Sequence, residues 1–223
     1  MEAATSAVSD GTSHRLGDDA LNTLFTEART HSAWLDRPVE DDLLLQLYEL
    51  MKWGPTSANC CPVRILFLRT RQAKERLRPA LMPANVDKTM KAPVTAIIAQ
   101  DSKFYETLPR LFPQMPSMKE MFAKSAELAA STAIRNGTLQ GAYFILAARS
   151  LGLDCGPMSG FDNAKVDQEF FPVPVGESAT KSGKFIAAGA VESNFLCNLG
   201  YGDTAKLHPR GPRLEFDEAC QLL

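Results

Sequence analysis

The organisation of this chain is decided by the stretch Trp53-Gly54-Pro55-Thr56-Ser57-Ala58-Asn59-Cys60-Cys61-Pro62-Val63-Arg64. A helical pattern ends just before this stretch, and the short apolar run Ile65–Leu68 that follows it is typical of a buried strand. A Gly-Pro pair breaks the helix, and one proline stiffens each end of the connection. We therefore treat residues 54–62, called the 54–62 loop below, as the junction between a helix and a buried strand.

The 54–62 loop offers several hydrogen-bonding groups within a few residues. Thr56, Ser57 and Asn59 supply two hydroxyls and a carboxamide. In one interpretation these side chains cap the backbone of a rigid connector, as such residues often do in turns. In the other, the loop presents backbone N–H groups and short polar side chains to a flat polar ligand. The residues of the loop by themselves leave both interpretations open.

Length and composition indicate a soluble, globular protein. The chain has 223 residues, of which 45% are hydrophobic and 22% charged, so it fits one large domain with a substantial core. The net charge of −2 gives no electrostatic reason to expect a nucleic-acid partner. The sequence contains no run of 18 apolar residues, so we expect no membrane partner. We expect a disordered, polar tail over residues 1–18 and a single domain over residues 19–223.

The cysteines and histidines predict neither a disulfide framework nor a metal site. The number of cysteines, five, is odd, and no two of them form a C-x-x-C motif. The three histidines lie far apart in sequence. Reduced, mostly buried thiols are the default for such a composition, so we expect a cytoplasmic protein with no bound metal.

Helical and strand patterns alternate along the chain. We expect helices over residues 18–30, from Glu40 to Met51, over residues 71–81 and shortly after Arg213. The stretch 118–150 is the longest helical pattern, and Gly137 is a candidate point of division. The predicted strands lie near residues 65–68, 94–99, 154–158 and 195–201.

Two irregular stretches have more than one interpretation. Residues 102–117 contain aromatic side chains between prolines, and they form either a lid over a substrate pocket or a long loop packed onto the body. Residues 172–193 are rich in Gly, Ala and Pro, and we expect a flexible surface loop there.

A second glycine-containing loop, residues 155–162, lets backbone approach a ligand closely. Its sequence, Cys155-Gly156-Pro157-Met158-Ser159-Gly160-Phe161-Asp162, is neither G-x-G-x-x-G nor G-x-S-x-G. It therefore predicts neither a Rossmann dinucleotide site nor a nucleophile elbow. A hydrolase that uses Ser57 or Ser159 with His31 or His208 remains a hypothesis without a supporting motif.

The 54–62 loop is similar to the flavin-contacting loop of the FMN-dependent nitroreductase family, which usually reads Ala-Pro-Ser-Ser-x-Asn-x-Gln-Pro. Thr56 replaces a Ser of that pattern, and Cys61 replaces the Gln. The runs from Leu50 to Cys60 and from Gly156 to Asp162 most resemble the malonic semialdehyde reductase branch, which acts in uracil degradation. The resemblance extends from about Leu21 to the C-terminus with one insertion.

The resemblance implies an α+β, nitroreductase-like fold with a central, mostly antiparallel sheet flanked by helices. It also implies an intertwined homodimer with two FMN molecules at the interface. Arg29 and Arg210 would hold the FMN phosphate, and Asn85 and Lys88 would contact the pyrimidine edge of the flavin. Ser32 replaces a second arginine of the family pattern, and His31 is either its substitute or an exposed histidine without a ligand. The residues implied in cofactor binding are Arg29, Thr30, His31, Ser32, Pro55, Thr56, Ser57, Asn59, Asn85, Lys88, Pro157, Met158, Ser159, Gly160, His208 and Arg210.

The resemblance further implies that NADH or NADPH reduces the flavin, which then reduces a small-molecule substrate with no catalytic side chain. We expect the substrate to be a small aldehyde, malonic semialdehyde, which would be reduced to 3-hydroxypropionate. The alternatives are a broad-specificity nitroreductase or quinone reductase, and a flavin-binding protein without turnover. The carboxylate of a semialdehyde needs a basic or amide partner, for which the candidates are Lys103, Arg110 and Arg135.

Overall fold

The described part of the chain contains four strands, with the bounds β1 Val63–Leu68, β2 Val94–Asp101, β3 Asp154–Met158 and β4 Val191–Gly200. They form one sheet in the spatial order β1-β2-β4-β3, and each neighbouring pair is antiparallel. The structure, a computed structural model, describes residues 15–172 and 191–223. Residues 1–14 of the predicted tail and 173–190 of the predicted loop lie outside the described residues.

Helices cover both faces of the sheet. Their bounds are α1 Asp18–Leu21, α2 Asp41–Met51, α3 Arg71–Leu77, α4 Pro83–Lys91, α5 Leu108–Leu111, α6 Ser117–Ala123, α7 Ala126–Ser150, α8 Asn163–Phe170 and α9 Phe216–Ala219. Short 3₁₀ turns lie at Ser57–Asn59, Arg78–Ala80, Phe104–Thr107 and Thr204–Lys206. This architecture confirms the predicted α+β class and the antiparallel sheet flanked by helices.

The central strand β2 separates two layers of core. All eight of its residues are buried, because successive side chains point to opposite faces and both faces are covered. Val94, Ala96 and Ile98 pack with α2 and α7, whereas Ile97 and Ala99 pack with α3 and α8. Apolar burial on both faces of β2 therefore fixes the sheet between its two helical layers.

The long helix α7 runs without a break through Gly137, so the predicted division at that residue is wrong. The chain instead leaves helical geometry between α6 and α7, where the Ser125 hydroxyl accepts a hydrogen bond from the Leu128 N–H at 3.2 Å. Gly137 is buried where the helix approaches the sheet. A Cβ at this position would lie 2.9 Å from Cβ of Gln100 on the sheet, which is too close. The glycine serves close helix–sheet packing rather than a break.

One face of α7 binds the backbone of the 54–62 loop and of the strand that follows. The Asn136 carboxamide accepts a hydrogen bond from the Ser57 N–H at 2.8 Å. One turn later the Gln140 carboxamide accepts a bond from the Val63 N–H at 3.0 Å. Both amide side chains are buried, so each carboxamide oxygen gains a hydrogen-bond partner in the interior.

A third contact from α7 fixes the start of the loop. The Tyr143 hydroxyl donates to the Pro55 carbonyl at 3.0 Å, and its ring packs so closely on Gly54 that a Cβ there would lie 2.0 Å from the ring. Within the loop Ala58, Asn59 and Cys61 have positive φ values of 50°, 50° and 40°. Such backbone is costly for residues other than glycine, so it persists because surrounding contacts hold it.

Residues 102–117 pack onto the body, which supports the second of their two interpretations. Phe104 and Leu108 are fully buried, and Phe104 stacks edge-on against Phe122 at a ring separation of 4.9 Å. The Asn59 carboxamide nitrogen donates to the Leu111 carbonyl at 2.9 Å, which joins α5 to the 54–62 loop. The predicted irregular stretch is therefore a set of short helical turns beside the loop.

Several predicted boundaries require correction. The helix predicted over residues 18–30 ends at Thr26 after a π-helical turn, and its N-cap is Gly17. The helix predicted over residues 71–81 changes to a 3₁₀ turn after Leu77. Strand β4 begins at Val191, so residues 191–193 belong to the sheet and not to the predicted surface loop. Helices α4 and α8 were not predicted at all.

None of the helices that the structure describes combines the length and the apolar character required to cross a bilayer.

Replacement of Asn136 by Ala tests whether α7 holds the 54–62 loop. The change leaves the Ser57 N–H without its buried partner, so we expect the free energy of unfolding to fall by about 1–3 kcal/mol. Urea unfolding measures this change. The matched control is Asn194→Ala, which removes an exposed carboxamide that also contacts α7, through Thr138, and should change stability by less than about 0.5 kcal/mol. Equal effects of the two substitutions would contradict this role of Asn136.

Candidate functional site

The segment Arg29–Ser32 joins the outer edge of strand β3. Thr30 forms an isolated parallel bridge with Cys155, and the His31 N–H donates to the Cys155 carbonyl at 3.0 Å. A Cβ on Gly156 would lie 2.5 Å from the His31 carbonyl oxygen, so this close approach requires glycine at that position. The strand thus fixes where the segment passes.

Two predicted phosphate-binding arginines lie next to each other although they are far apart in sequence. Arg29 donates to the carbonyl of His208, and Arg210 donates to the carbonyl of Ala28 at 3.2 Å. Each guanidinium carries five N–H groups and uses one of them in these bonds. The remaining donors create a cationic corner beside β3, where the family resemblance implies a phosphate.

His31 is buried, so one of its two alternatives, an exposed histidine without a ligand, is wrong. Its Nε2 lies 3.3 Å from Oδ1 of Asp154, and the other carboxylate oxygen of Asp154 accepts a bond from the Gly202 N–H at 2.8 Å. A Cβ on Gly202 would lie 1.9 Å from His31 Nδ1. The imidazole therefore packs into the body of the protein between Asp154 and Gly202.

A second group of predicted residues lies at the other end of β3. The Asn85 carboxamide donates to the Gly160 carbonyl at 2.7 Å, and the Met82 N–H lies 3.1 Å from the same oxygen. Met158 is buried, with the Thr89 hydroxyl 3.6 Å from its sulfur, while Ser159 is exposed and Pro157 half-buried. The start of α4 thus holds the loop after β3 in place.

Lys88 lies one turn further along α4 and is half-buried. Burial lowers the pKa of its ammonium group below the ordinary value for lysine. Within the described chain its ammonium has no carboxylate partner, and the Lys88 carbonyl accepts a bond from Trp34 Nε1 at 3.2 Å. An anionic group placed beside Lys88 would be stabilised by this unpaired charge.

The 54–62 loop lies at the opposite corner of the sheet. The loop leads into Val63, the first residue of the edge strand β1. Thr30 lies beside β3, the edge strand on the other side of the sheet, and it is level with the last residues of β1. Strand spacing and rise per residue place these points roughly 25 Å apart. One chain therefore places the Arg29 and Asn85 groups at the two ends of β3 and separates the Arg29 group from the 54–62 loop.

Polar side chains of the 54–62 loop bond within the loop itself and to its neighbours. The Thr56 hydroxyl accepts a bond from the Cys61 N–H at 3.2 Å, and the Cys61 thiol lies 3.3 Å from Oδ1 of Asn59. These contacts confirm local backbone capping by the loop. The exposed Ser57 hydroxyl and the outer surface of the loop remain available to a ligand.

A cavity of about 980 Å³ opens beside the loop. Its wall includes Pro55, Asn59 and Cys61 of the loop, the outer edge of β1, and Arg110 on α5. Arg64 also faces the cavity, and its guanidinium lies 2.7 Å from Oδ2 of buried Asp101. Burial raises the pKa of Asp101 and the adjacent Arg64 cation opposes that rise, so the two form a paired unit.

The thiols and serines give no sign of nucleophilic catalysis. Burial raises the pKa of Cys60 to about 11, and a hydrogen bond with Cys155 together with complete burial raises the pKa of Cys197. Neither Ser57 nor Ser159 forms a side-chain hydrogen bond with a histidine among the described residues. No group of three or more potential metal ligands occurs in residues 15–172 and 191–223.

Sequence reasoning missed the residues that position the site. Asn136 and Gln140 lie four residues apart in a helix of small and apolar side chains, and this spacing places two carboxamides on one face. That spacing could have indicated two buried side chains that form hydrogen bonds to a neighbouring loop. Asp154 gave no comparable signal, because its contacts with His31 and Gly202 join distant parts of the sequence.

Comparisons with known proteins agree with the observed fold. The profile of the nitroreductase family matches residues 26–179. A protein of Exiguobacterium sibiricum assigned as a nitroreductase, solved in complex with FMN, superposes with a TM-score of 0.77 at 15% identity, covering 95% of this chain and 100% of that one. A Staphylococcus epidermidis protein assigned as an NAD(P)H:FMN oxidoreductase gives 0.71 at 16% identity, covering 92% and 95%.

A third similar structure is CLA-ER, an enone reductase of gut-bacterial fatty acid saturation. It superposes with a TM-score of 0.72 at 15% identity, and the match covers 93% of this chain and 99% of that chain. At such identities the superpositions show the shared fold, while the profile match spans more than half of the sequence. The chain therefore belongs to the nitroreductase family.

Proposed function

We propose that this protein binds FMN and uses NADH or NADPH to reduce a small aldehyde, malonic semialdehyde, to 3-hydroxypropionate. The observation that carries the proposal is the arrangement of cationic and polar groups along β3. A cationic corner formed by Arg29 and Arg210 lies at one end, and Asn85, Lys88 and Gly160 lie towards the other. An elongated ligand with a phosphate at one end and a polar ring at the other matches this distribution.

The donor groups fit FMN in their chemistry. Arg29 and Arg210, with His208 beside them, would hold the phosphate, while Thr30 and Ser32 are exposed next to it. The unpaired, half-buried Lys88 suits the electron-rich pyrimidine edge of a reduced flavin. Backbone of residues 157–160 would lie over the ring, held by Asn85. The bound FMN would supply hydride transfer through its N5 atom.

The separation of the 54–62 loop from the rest of the site supports a homodimer. Because the loop lies far from Arg29 of its own chain, a second copy would supply the contacts of Pro55, Thr56, Ser57 and Asn59. Residues 208–223 are exposed and carry apolar side chains, among them Leu214 and Phe216. A second copy would cover this surface.

The identity of the aldehyde substrate is the most specific part of the proposal. It rests on the similarity of two separate runs, Met51–Asn59 and Gly156–Asp162, to the malonic semialdehyde reductase branch, and on Cys61 in place of the usual Gln. The enone reductase with the same fold acts on a substrate other than a nitro compound. The reduced thiols at residues 60, 61, 155 and 197 suit a cytoplasmic location.

A broad-specificity nitroreductase or quinone reductase is the second candidate function. The observation in its favour is the size of the cavity, since about 980 Å³ exceeds what a three-carbon substrate occupies. A flavin-binding protein without turnover is the remaining alternative, and reduction of its flavin by NADH or NADPH would exclude it.

The substrate test combines flavin reduction with turnover. NADH or NADPH, added without oxygen, should bleach the flavin, and malonic semialdehyde should restore its colour. We expect kcat/KM for malonic semialdehyde to exceed the values for a nitroarene and a quinone under the same conditions. If the nitroarene turns over efficiently while the aldehyde is not reduced, the second candidate function replaces the first.

Arg29→Ala and Arg210→Ala should each weaken FMN binding without unfolding the protein. Loss of one charge-assisted phosphate contact costs about 1.5–3 kcal/mol, so the dissociation constant should rise about 10- to 100-fold. Flavin fluorescence on release measures the constant, and mass analysis identifies FMN. Arg213→Ala is the matched control, because Arg213 bonds to neighbouring carbonyls of Gly211 and Pro212. Unchanged affinity in both variants would place the phosphate elsewhere.

A mixed dimer tests whether two chains build each site. One parent carries Arg29→Ala with Arg210→Ala, and the other carries Thr56→Ala with Ser57→Ala. If each site combines one chain's arginines with the partner's loop, the mixed dimer regains one complete site, whereas both parent homodimers have none. Selection through two different tags isolates the mixed dimer, and flavin content is measured per dimer. A monomer of 24.4 kDa with full flavin occupancy, or no recovery in the mixed dimer, contradicts the proposal.

A further inference from the structure

The large cavity beside the 54–62 loop contains four basic side chains, and three of them are neutralised. Lys52 pairs with Glu49 and Arg69 pairs with Asp41, while Arg64 lies 2.7 Å from Asp101. Pairing of this kind leaves little net charge with which to attract a ligand. The fourth basic residue, Arg110, has no hydrogen-bond or carboxylate partner in the part of the chain that the structure describes.

Arg110 is held beside the loop by its neighbours on α5. Leu108 is fully buried in the core, and the Leu111 carbonyl accepts the bond from Asn59 at 2.9 Å. Pro109 stands at the start of this short helix, where its fixed φ suits helical geometry. The backbone that carries the guanidinium is therefore tied directly to the predicted flavin-contacting residues.

From this geometry we propose that Arg110 binds the carboxylate of the substrate and selects anionic aldehydes over neutral ones. The inference rests on the proposed function and extends it to a specificity-determining residue. A guanidinium presents a planar fork of N–H groups that matches a carboxylate in a bidentate manner. Because the 54–62 loop would reach the flavin of the partner subunit, Arg110 would receive the far end of a short substrate whose aldehyde faces that flavin.

The other two basic candidates do not share this position. Lys103 and Arg135 lie outside the wall of the cavity, whereas Arg110 is part of it. Arg64 lines the cavity but its charge is balanced by Asp101. Among the described residues of the cavity wall, Arg110 is thus the unneutralised cation that adjoins the 54–62 loop.

The test compares malonic semialdehyde with its neutral methyl ester in the FMN-loaded protein. Arg110→Gln should lower kcat/KM for the acid by about 10- to 100-fold, as loss of a charge-assisted bond predicts, and change the value for the ester less than about twofold. Arg110→Lys should recover part of the loss. Arg71→Gln, at an exposed position of α3 outside the cavity, is the matched control and should change neither value. Flavin content and its bleaching by NADH or NADPH should stay unchanged.

A second readout separates this inference from the proposed function. Malonate binding to the FMN-loaded protein, measured by calorimetry, should weaken about 10- to 100-fold in Arg110→Gln, even if no aldehyde is reduced. Binding that depends on Arg110 with no aldehyde turnover would overturn the proposed reaction and keep the anion site. Equal losses for the acid and the ester, or malonate affinity unchanged by the substitution, would overturn the role of Arg110.

Discussion

The structure depends on the hydrogen bonds that α7 makes to the backbone leading into β1. Asn136 and Gln140 are buried acceptors for the N–H groups of Ser57 and Val63, so they fix the loop and the strand at once. Between these two points the backbone enters left-handed conformations that cost of order 1–3 kcal/mol at each residue. A loop with that local cost keeps one shape because a rigid helix pairs its polar groups on one side.

The basic side chains fall into two groups, those paired with carboxylates and those without a carboxylate partner among the described residues. Most basic side chains near the large cavity are paired with carboxylates, as Arg64 is with Asp101, and such pairs mainly hold elements together. Unpaired basic groups occur at the cationic corner beside β3, at Lys88 and at Arg110. Stability and ligand attraction are thus assigned to different side chains, because a cation that already has a close carboxylate attracts an anion weakly.

Sequence patterns predicted the helices and strands that bury apolar side chains. Strand β3 has its predicted bounds, because Gly152, at φ 76°, ends α7 and the strand follows at once. Helix α4 was missed because it buries Asn85 and Thr89, which bond to Gly160 and contact Met158, instead of an apolar stripe. Polar burial carries no periodic hydrophobic signal, since its partners come from distant strands.

The sequence and the resemblance name the residues of the proposed site, but they do not show how the sheet divides them. The resemblance supplied Arg29, Arg210 and the 54–62 loop, whereas the register of the sheet separates them by roughly 25 Å within one chain. Arg110 was one of three equal candidates by sequence, and only the course of α5 distinguishes it. Because the Leu111 carbonyl bonds to Asn59, any shift of the loop moves this arginine as well. In the proposed function, cofactor contact and substrate selection would therefore depend on one continuous structural unit, which α7 holds in place.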